Sequence, residues 1–325
     1  MRCEIAWVPM ARLALPEVDR VEILTLLDLS LDLLMAGSET VRRVVVEGAL
    51  GEGRSVLRAE HGFSSLVTVV AGARKATFLF DAGLTRDSLL HNMDVLEVRP
   101  SELQAIVLSH GHADHVAGLT GLLSRTGRRR LPLVLHPDAF LRRKIALPDG
   151  REILLPPPDR RGIEQEGVEI LEERAASLLL GGLALVTGEV ARTTAFETGF
   201  PAHYAEVAGA WQPDPLIHDD QAVVLNVRGK GLAVLSGCGH AGIVNVLHHA
   251  MAVTGVGRIH AVLGGFHLNG RLFEPRIPAT VDALKALAPK LIVPSHCTGW
   301  KATHEIARAL PDAFVPNSVG TTFLI

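Results

Sequence analysis

Ser109-His110-Gly111-His112-Ala113-Asp114-His115 puts three histidines and a carboxylate within six residues, from His110 to His115. The run before it, Ala105-Ile106-Val107-Leu108, has the pattern of a short buried strand. After it, Val116-Ala117-Gly118-Leu119 and Leu122-Leu123 read as the start of a helix. The histidines therefore sit on a tight turn at the carboxyl end of a strand, where open α/β sheets place their ligands. Residues two apart on extended chain point the same way, so His110 and His112 can grip one ion together. Asp114 and His115 follow as the chain turns, towards a second position nearby. Imidazole and carboxylate are ligands for zinc and also suit iron or manganese. A polar loop with incidental histidines would account for one such residue, not for four ligand types in six positions.

Composition narrows the class. The chain has 325 residues, 48% hydrophobic and 21% charged, enough apolar material for a substantial core. Net charge is −3, and the densest basic run is Arg128-Arg129-Arg130, a pattern typical of a solvated loop. No nucleic-acid partner is expected. Three cysteines, Cys3, Cys238 and Cys297, lack CxxC spacing and fit a reducing compartment. No signal-peptide pattern opens the chain, and the apolar run at 21–34 is short and broken by Glu22, Asp28 and Asp32. The expectation is a cytoplasmic protein with no membrane partner and a small-molecule substrate.

Outward from the histidine turn, residues 1–19 read as an extension and 20–325 as a single domain. Strands are expected at 21–27, 65–70, 76–80, 132–135, 183–187, 222–227, 232–236, 259–263, 291–293 and 321–324. Helices are expected at 88–98, from 243, at 278–287 and at 301–310, with Ser101 capping a short turn. Residues 38–53 read as a surface excursion. Charge and proline, including Pro156-Pro157-Pro158, mark 141–180, and a long loop follows the strand at 183–187. An inserted loop or lid region is thus expected over about 141–215, a natural place for a homo-oligomer contact. The rhythm is hairpins, then strand–helix units, in each half.

Several strand ends carry further candidates. Asp81-Ala82-Gly83 closes one strand, where an acid can orient a histidine ligand. His240, His267 and His296 each end a later strand among small residues that let backbone approach an ion or a phosphate. The helix after Gly242 offers free N–H groups for an anion, with Arg192 a weaker member of such a site.

His-x-His-x-Asp-His after a strand resembles the signature of the metallo-β-lactamase superfamily. That resemblance implies an α/β fold, a four-layer αββα sandwich, with one or two metals in a cleft at the sheet edges and a metal-bound hydroxide as the usual nucleophile. It also implies Asp-x-Gly at Asp81, a further histidine for the first metal, a shared acid, and a last histidine for the second. The metal set it suggests is His110, His112, Asp114, His115, His240 and His296, with Zn2+ as the default and Fe or Mn as alternatives. The aspartate usual after the strand at 232–236 is replaced by Gly237-Cys238, so Cys238 is the rival of His240 and the metal count stays open. Asp114 and His267 are the catalytic candidates, His267 as general acid or as donor to a substrate phosphate. His61, Asp81, Arg192 and Cys238 are candidates for substrate contact or ligand support.

The set is narrower than the superfamily. Glu60-His61-Gly62-Phe63-Ser64, the histidine turn, Ser236-Gly237-Cys238-Gly239-His240-Ala241-Gly242, Gly264-Gly265-Phe266-His267-Leu268 and Pro294-Ser295-His296-Cys297-Thr298-Gly299 occur together. They resemble the branch that includes dihydropterin-methyl ribofuranosylaminobenzene phosphate synthases of methanopterin biosynthesis. Asp28-Leu29 departs from the expected Asp-Asn. The resemblance implies a metal-dependent hydrolase of a small phosphate-bearing metabolite, or alternatively that synthase, a pterin transferase. A metal-binding sensor without turnover is the third reading. Flavodiiron oxygen reductases, which carry glutamate at the position of His112, are disfavoured, as are nucleic-acid-processing and secreted members.

Overall fold

A computed structural model describes residues 12–44, 56–127 and 130–325. Residues 1–11 of the extension with Cys3, residues 45–53 of the excursion, and Arg128 and Arg129 lie outside the described residues.

Two sheets face each other. The first has the order β11-β12-β15-β16-β17-β18, with β1 also paired to β15. Its members are β1 Glu17–Val18, β11 Ser177–Leu179, β12 Ala184–Val186, β15 Ala222–Val227, β16 Gly231–Ser236, β17 Ile259–Gly265 and β18 Leu291–Ser295. The second runs β10-β7-β6-β5-β4-β2-β19-β3. It comprises β2 Arg20–Leu27, β3 Val41–Arg42, β4 Ser64–Ala71, β5 Arg74–Phe80, β6 Ala105–Val107, β7 Pro132–Leu135, β10 Glu169–Glu172 and β19 Thr322–Leu324.

Alternation along each strand makes four layers. Phe78 and Phe80 join Val223, Leu225, Ala233 and Leu235 in the core between the sheets. Leu79 turns the other way, with Ile106 and Leu133, onto Leu89 and Met93 of α1 (Arg86–Val95) and Leu119 and Leu122 of α3 (Leu119–Thr126). Likewise Val224, Val234 and Val262 turn onto α5 (Ile243–Thr254), α6 (Ile277–Leu287) and α7 (Trp300–Ala309). Period-two side chains on a strand buried on both faces give two cores, one on each side. The result is the expected αββα sandwich.

In each sheet an antiparallel hairpin leads into parallel strands: β4–β5 then β5–β6–β7, and β15–β16 then β16–β17–β18. Parallel neighbours need a crossover, which α5 and α6 supply in the first sheet. The carboxyl ends of β5, β6, β16, β17 and β18 thereby point to one edge of the sandwich.

Some local expectations differ. Helix α1 starts at Arg86, because Thr85 Oγ1 accepts the Ser88 N–H at 3.4 Å, and it ends at Val95, before left-handed Glu97. Ser101 lies inside the turn Pro100–Glu102 and caps nothing; Arg99 holds the capping position without a side-chain bond. Residues 203–213, read as loop, form β13 (His203–Val207) and β14 (Ala210–Pro213). With β8 (Arg143–Ala146) and β9 (Glu152–Leu155) they make a third, antiparallel sheet ordered β14-β13-β8-β9. Its strands are four or five residues long and interrupted by polar side chains, so apolar alternation did not reveal them. Among the described residues no helix is long and apolar enough to cross a membrane.

Candidate metal centre

Asp81 follows β5, the histidine turn follows β6, and Cys238–His240, His267 and His296 follow β16, β17 and β18. The loops touch because their small residues permit it: a Cβ on Gly237 would stand 2.1 Å from Ser109 Oγ. Three residues at this edge, Asp81, His267 and His296, hold left-handed backbone (φ 60°, 42° and 47°), a strain that collects at functional sites.

Two groups of ligand atoms lie side by side. His110, His112 and His240 present nitrogens within 4.8 Å of one another. His112 Nδ1 is 3.1 Å from His240 Nε2. Burial, then the neighbouring imidazoles, push all three rings well below the ordinary histidine range, so they stand neutral with lone pairs free. Asp114, His115 and His296 form the second group. Asp114 Oδ2 is 3.1 Å from His296 Nε2, which is 3.2 Å from His115 Nε2. Burial alone would raise Asp114, but the His115 and His296 imidazoles outweigh it and hold the carboxyl well below its usual range. Burial likewise opposes charge on His115, yet Asp114 and Asp81 raise it to about 9. Cys238 joins both groups, within 4.8 Å of His110 and His115 and of His240 and His267. Burial pushes its thiol up.

Supporting residues fix these rings. Asp81 Oδ2 accepts His115 Nδ1–H and Ser109 Oγ–H, each at 2.7 Å, and Oδ1 accepts the Ser109 N–H at 2.7 Å. His61, at the solvent side, has Nε2 3.8 Å from Asp114 Oδ2. His267 Nδ1 is 3.4 Å from Cys238 Sγ, and its ring lies 4.2 Å from that of His240 and 4.4 Å from Phe273.

Sequence reading missed several partners. Asp28, noted as a break in an apolar run and for its neighbour Leu29, accepts the His296 N–H at 2.8 Å and the Asn317 side chain at 2.7 Å. Cys297 Sγ lies 2.9 Å from Cys238 Sγ. His203 of β13 has Nε2 3.1 Å from His112 Nε2. Buried Arg143 of β8 pairs with Asp214 and Asp219, and Asp219 accepts the Gly111 N–H at 2.9 Å. A charged pair closing on the glycine between two ligands has no local sequence signal.

One expectation is corrected. The N–H groups that an anion at the start of α5 would use are already taken by the chain's own carboxylates. Glu197 Oε1 accepts the Val244 N–H at 2.9 Å and Oε2 the Asn245 N–H at 2.7 Å, while Asp220 takes the Ala241 N–H at 2.8 Å. The chain's own carboxylate answers the helix dipole. Arg192 donates to the Leu216 carbonyl, and its charged neighbours are the same Asp220 and Glu197 carboxylates that fill the helix start. Burial lowers its pKa, against the pull of Asp220 and Glu197.

The donor set fits a metal. His110 Nε2 is buried without a partner, and an orphaned buried nitrogen costs about 1–3 kcal/mol. Ligand nitrogens around a tetrahedral zinc, each about 2.0–2.1 Å away, stand about 3.4 Å apart, close to the spacings within the two groups.

A family model for the metallo-beta-lactamase superfamily matches residues 61–247. The chain is 29% identical over 261 residues to a 7,8-dihydropterin-6-methyl-4-(beta-D-ribofuranosyl)-aminobenzene-5'-phosphate synthase of Methanocaldococcus jannaschii, covering 79% of this chain and 87% of the relative. An uncharacterized protein of the same organism is 30% identical over 271 residues, with 81% and 92% covered. A solved metal-dependent hydrolase of the beta-lactamase superfamily superposes with a TM-score of 0.70 at 24% identity, covering 93% of this chain and 98% of that one, a likeness of fold.

Proposed function

This chain belongs to the metallo-β-lactamase superfamily, and on that premise we propose that it is a metal-dependent hydrolase of a small, phosphate-bearing metabolite. The observation that carries the reading is the pair of adjacent ligand groups, His110/His112/His240 and Asp114/His115/His296, which share Cys238 at the position of the missing acid. Zinc is the first choice for one or two ions, iron or manganese the alternatives. Bound there, such ions supply a nucleophile at neutral pH and neutralise charge developing on a phosphoryl or acyl oxygen.

The chain's own residues do the rest. Asp114 is partly open to solvent on the His61 side and is held ionised, so it can orient an attacking water. Asp81 holds His115 in one tautomer. His267, half-buried beside Phe273, would donate a proton or hydrogen bond to a leaving oxygen.

The second reading is the synthase, favoured by the relative of that name, which matches 79% of this chain. In it the same residues would hold a diphosphate leaving group while an aryl carbon attacks. His267, Phe200 and Phe273, with ring centroids 4.4–6.3 Å apart, offer a planar group an aromatic wall.

One experiment separates the two. Metal-loaded protein is incubated with a dihydropterin-methyl diphosphate and a ribofuranosylaminobenzene phosphate, and separately with phosphodiesters and esters, and products are read by mass spectrometry. Metal-dependent cleavage lost in Asp114→Asn supports the hydrolase; coupling with release of diphosphate replaces it with the synthase. Metal binding without either turnover leaves the sensor.

A further inference from the structure

One histidine reaches the centre from outside the two main sheets. His203, on β13 of the inserted sheet, is fully buried, with Nε2 3.1 Å from His112 Nε2. Its other nitrogen, Nδ1, stands 3.1 Å from the Asp214 carbonyl oxygen and 3.4 Å from the Asp214 carboxylate.

The protons on this chain of groups follow from His112. Its Nδ1 faces His240 at 3.1 Å, on the side of the group formed with His110. The two nitrogens of an imidazole leave the ring in different directions, so the group facing Nδ1 and the group facing Nε2 cannot share one ion with it. His203 joins none of the ligand trios found among the described residues. An ion held by His110, His112 and His240 therefore takes the His112 Nδ1 lone pair, and the His112 proton must sit on Nε2. His203 Nε2 is then the acceptor, which leaves the His203 proton on Nδ1, where the Asp214 carbonyl accepts it.

The inserted sheet is locked to the same loop by charge. Arg143, on β8 and 2% exposed, reaches Asp214 Oδ2 through Nε at 3.1 Å. Its Nη2 reaches Asp219 Oδ1 at 2.5 Å. The other Asp219 oxygen accepts the N–H of Gly111, between the two ligands, at 2.9 Å. His203 and the backbone under His110 and His112 are thus held by one buried cation.

We propose that His203 is a positioning residue of the metal centre: it accepts the His112 Nε2 proton, fixes that ring's tautomer and orientation, and makes the inserted sheet an integral part of the site. Partners of this kind hold a ligating histidine ready for its ion. The proposal rests on the reading that His110, His112 and His240 hold a metal.

The test measures metal, not turnover. Wild type, His203→Ala and His203→Gln are titrated with Zn2+ and Co2+ against a competing chelator, and long-range proton–nitrogen spectra of Zn-loaded wild type report histidine tautomers. His203→Ala is expected to bind about 10–100-fold more weakly and to shift the visible Co2+ bands. His203→Gln, whose amide oxygen accepts the same proton, restores most of the affinity and the bands. The spectra should show His112 protonated on Nε2 and His203 on Nδ1. Equal affinity in wild type and His203→Ala, no rescue by glutamine, or His112 protonated on Nδ1 overturns the role of His203 alone. Wild type that binds no metal overturns the metal-centre reading and this role with it. The tautomer measurement uses wild type, so it decides even if His203→Ala fails to fold.

Discussion

Replacing Glu197 with alanine tests whether this chain supplies its own anion to the start of α5. Glu197 is 4% exposed and accepts the Val244 and Asn245 N–H groups, with Thr194 Oγ1 donating to it at 3.1 Å. Losing a helix cap costs about 0.5–2 kcal/mol. Losing a partly buried charge at a helix N-terminus costs up to about 2 kcal/mol more. Burial raises the Glu197 pKa even though the two N–H bonds pull it down, so desolvation cancels the gain from charge and the cap bonds carry the loss. The net loss should be about 1–2 kcal/mol, a fall in Tm of about 2–4 °C at about 2 °C per kcal/mol for a chain of this length. Thermal unfolding of the metal-loaded Ala and Gln variants measures it, with Gln expected between Ala and wild type. The alanine variant uncovers the N–H groups, so added sulfate should raise its Tm more than that of wild type. A Tm for Glu197→Ala within about 1 °C of wild type, with no sulfate response, would refute the reasoning.

Asp81→Ala removes the acceptor of His115 Nδ1–H and of two Ser109 donors, and should weaken metal binding about 10–100-fold in chelator competition; unchanged affinity would show that His115 needs no anchor. In metal-free protein, His115 is raised from 6.5 to about 9, so it binds more protons folded than unfolded. Its contribution is complete below pH 6.5 and lost as pH rises through 9, about 3 kcal/mol in all, and urea denaturation in chelator should show that alkaline fall in wild type and lose it in His115→Gln. Asp114 is shifted the opposite way, and its contribution is lost as pH falls below the ordinary 3.8.

Much of this protein was legible in local sequence. Strands such as Ala222–Val227 are apolar on both faces and declare a doubly covered sheet before any contact is known. The spacing of His110, His112, Asp114 and His115 shows a ligand loop because side chains two apart on extended chain share a side. Histidines at the ends of β16, β17 and β18 could be expected at one edge, since parallel strands joined by crossovers end on the same side.

What tertiary structure alone decided lies in contacts between distant segments. The Asp28 carboxylate meets the His296 amide 268 residues away, and Glu197 caps a helix that starts 46 residues later. The short strands carrying His203 and Arg143 are charged and only partly apolar, so the side chains that reach the metal loop from them leave no period to read. Sequence shows a helix start with free N–H groups, because backbone donors are present at every such start. Which acceptor fills them depends on a loop packed from elsewhere, and here that loop brings a carboxylate where a substrate anion was expected.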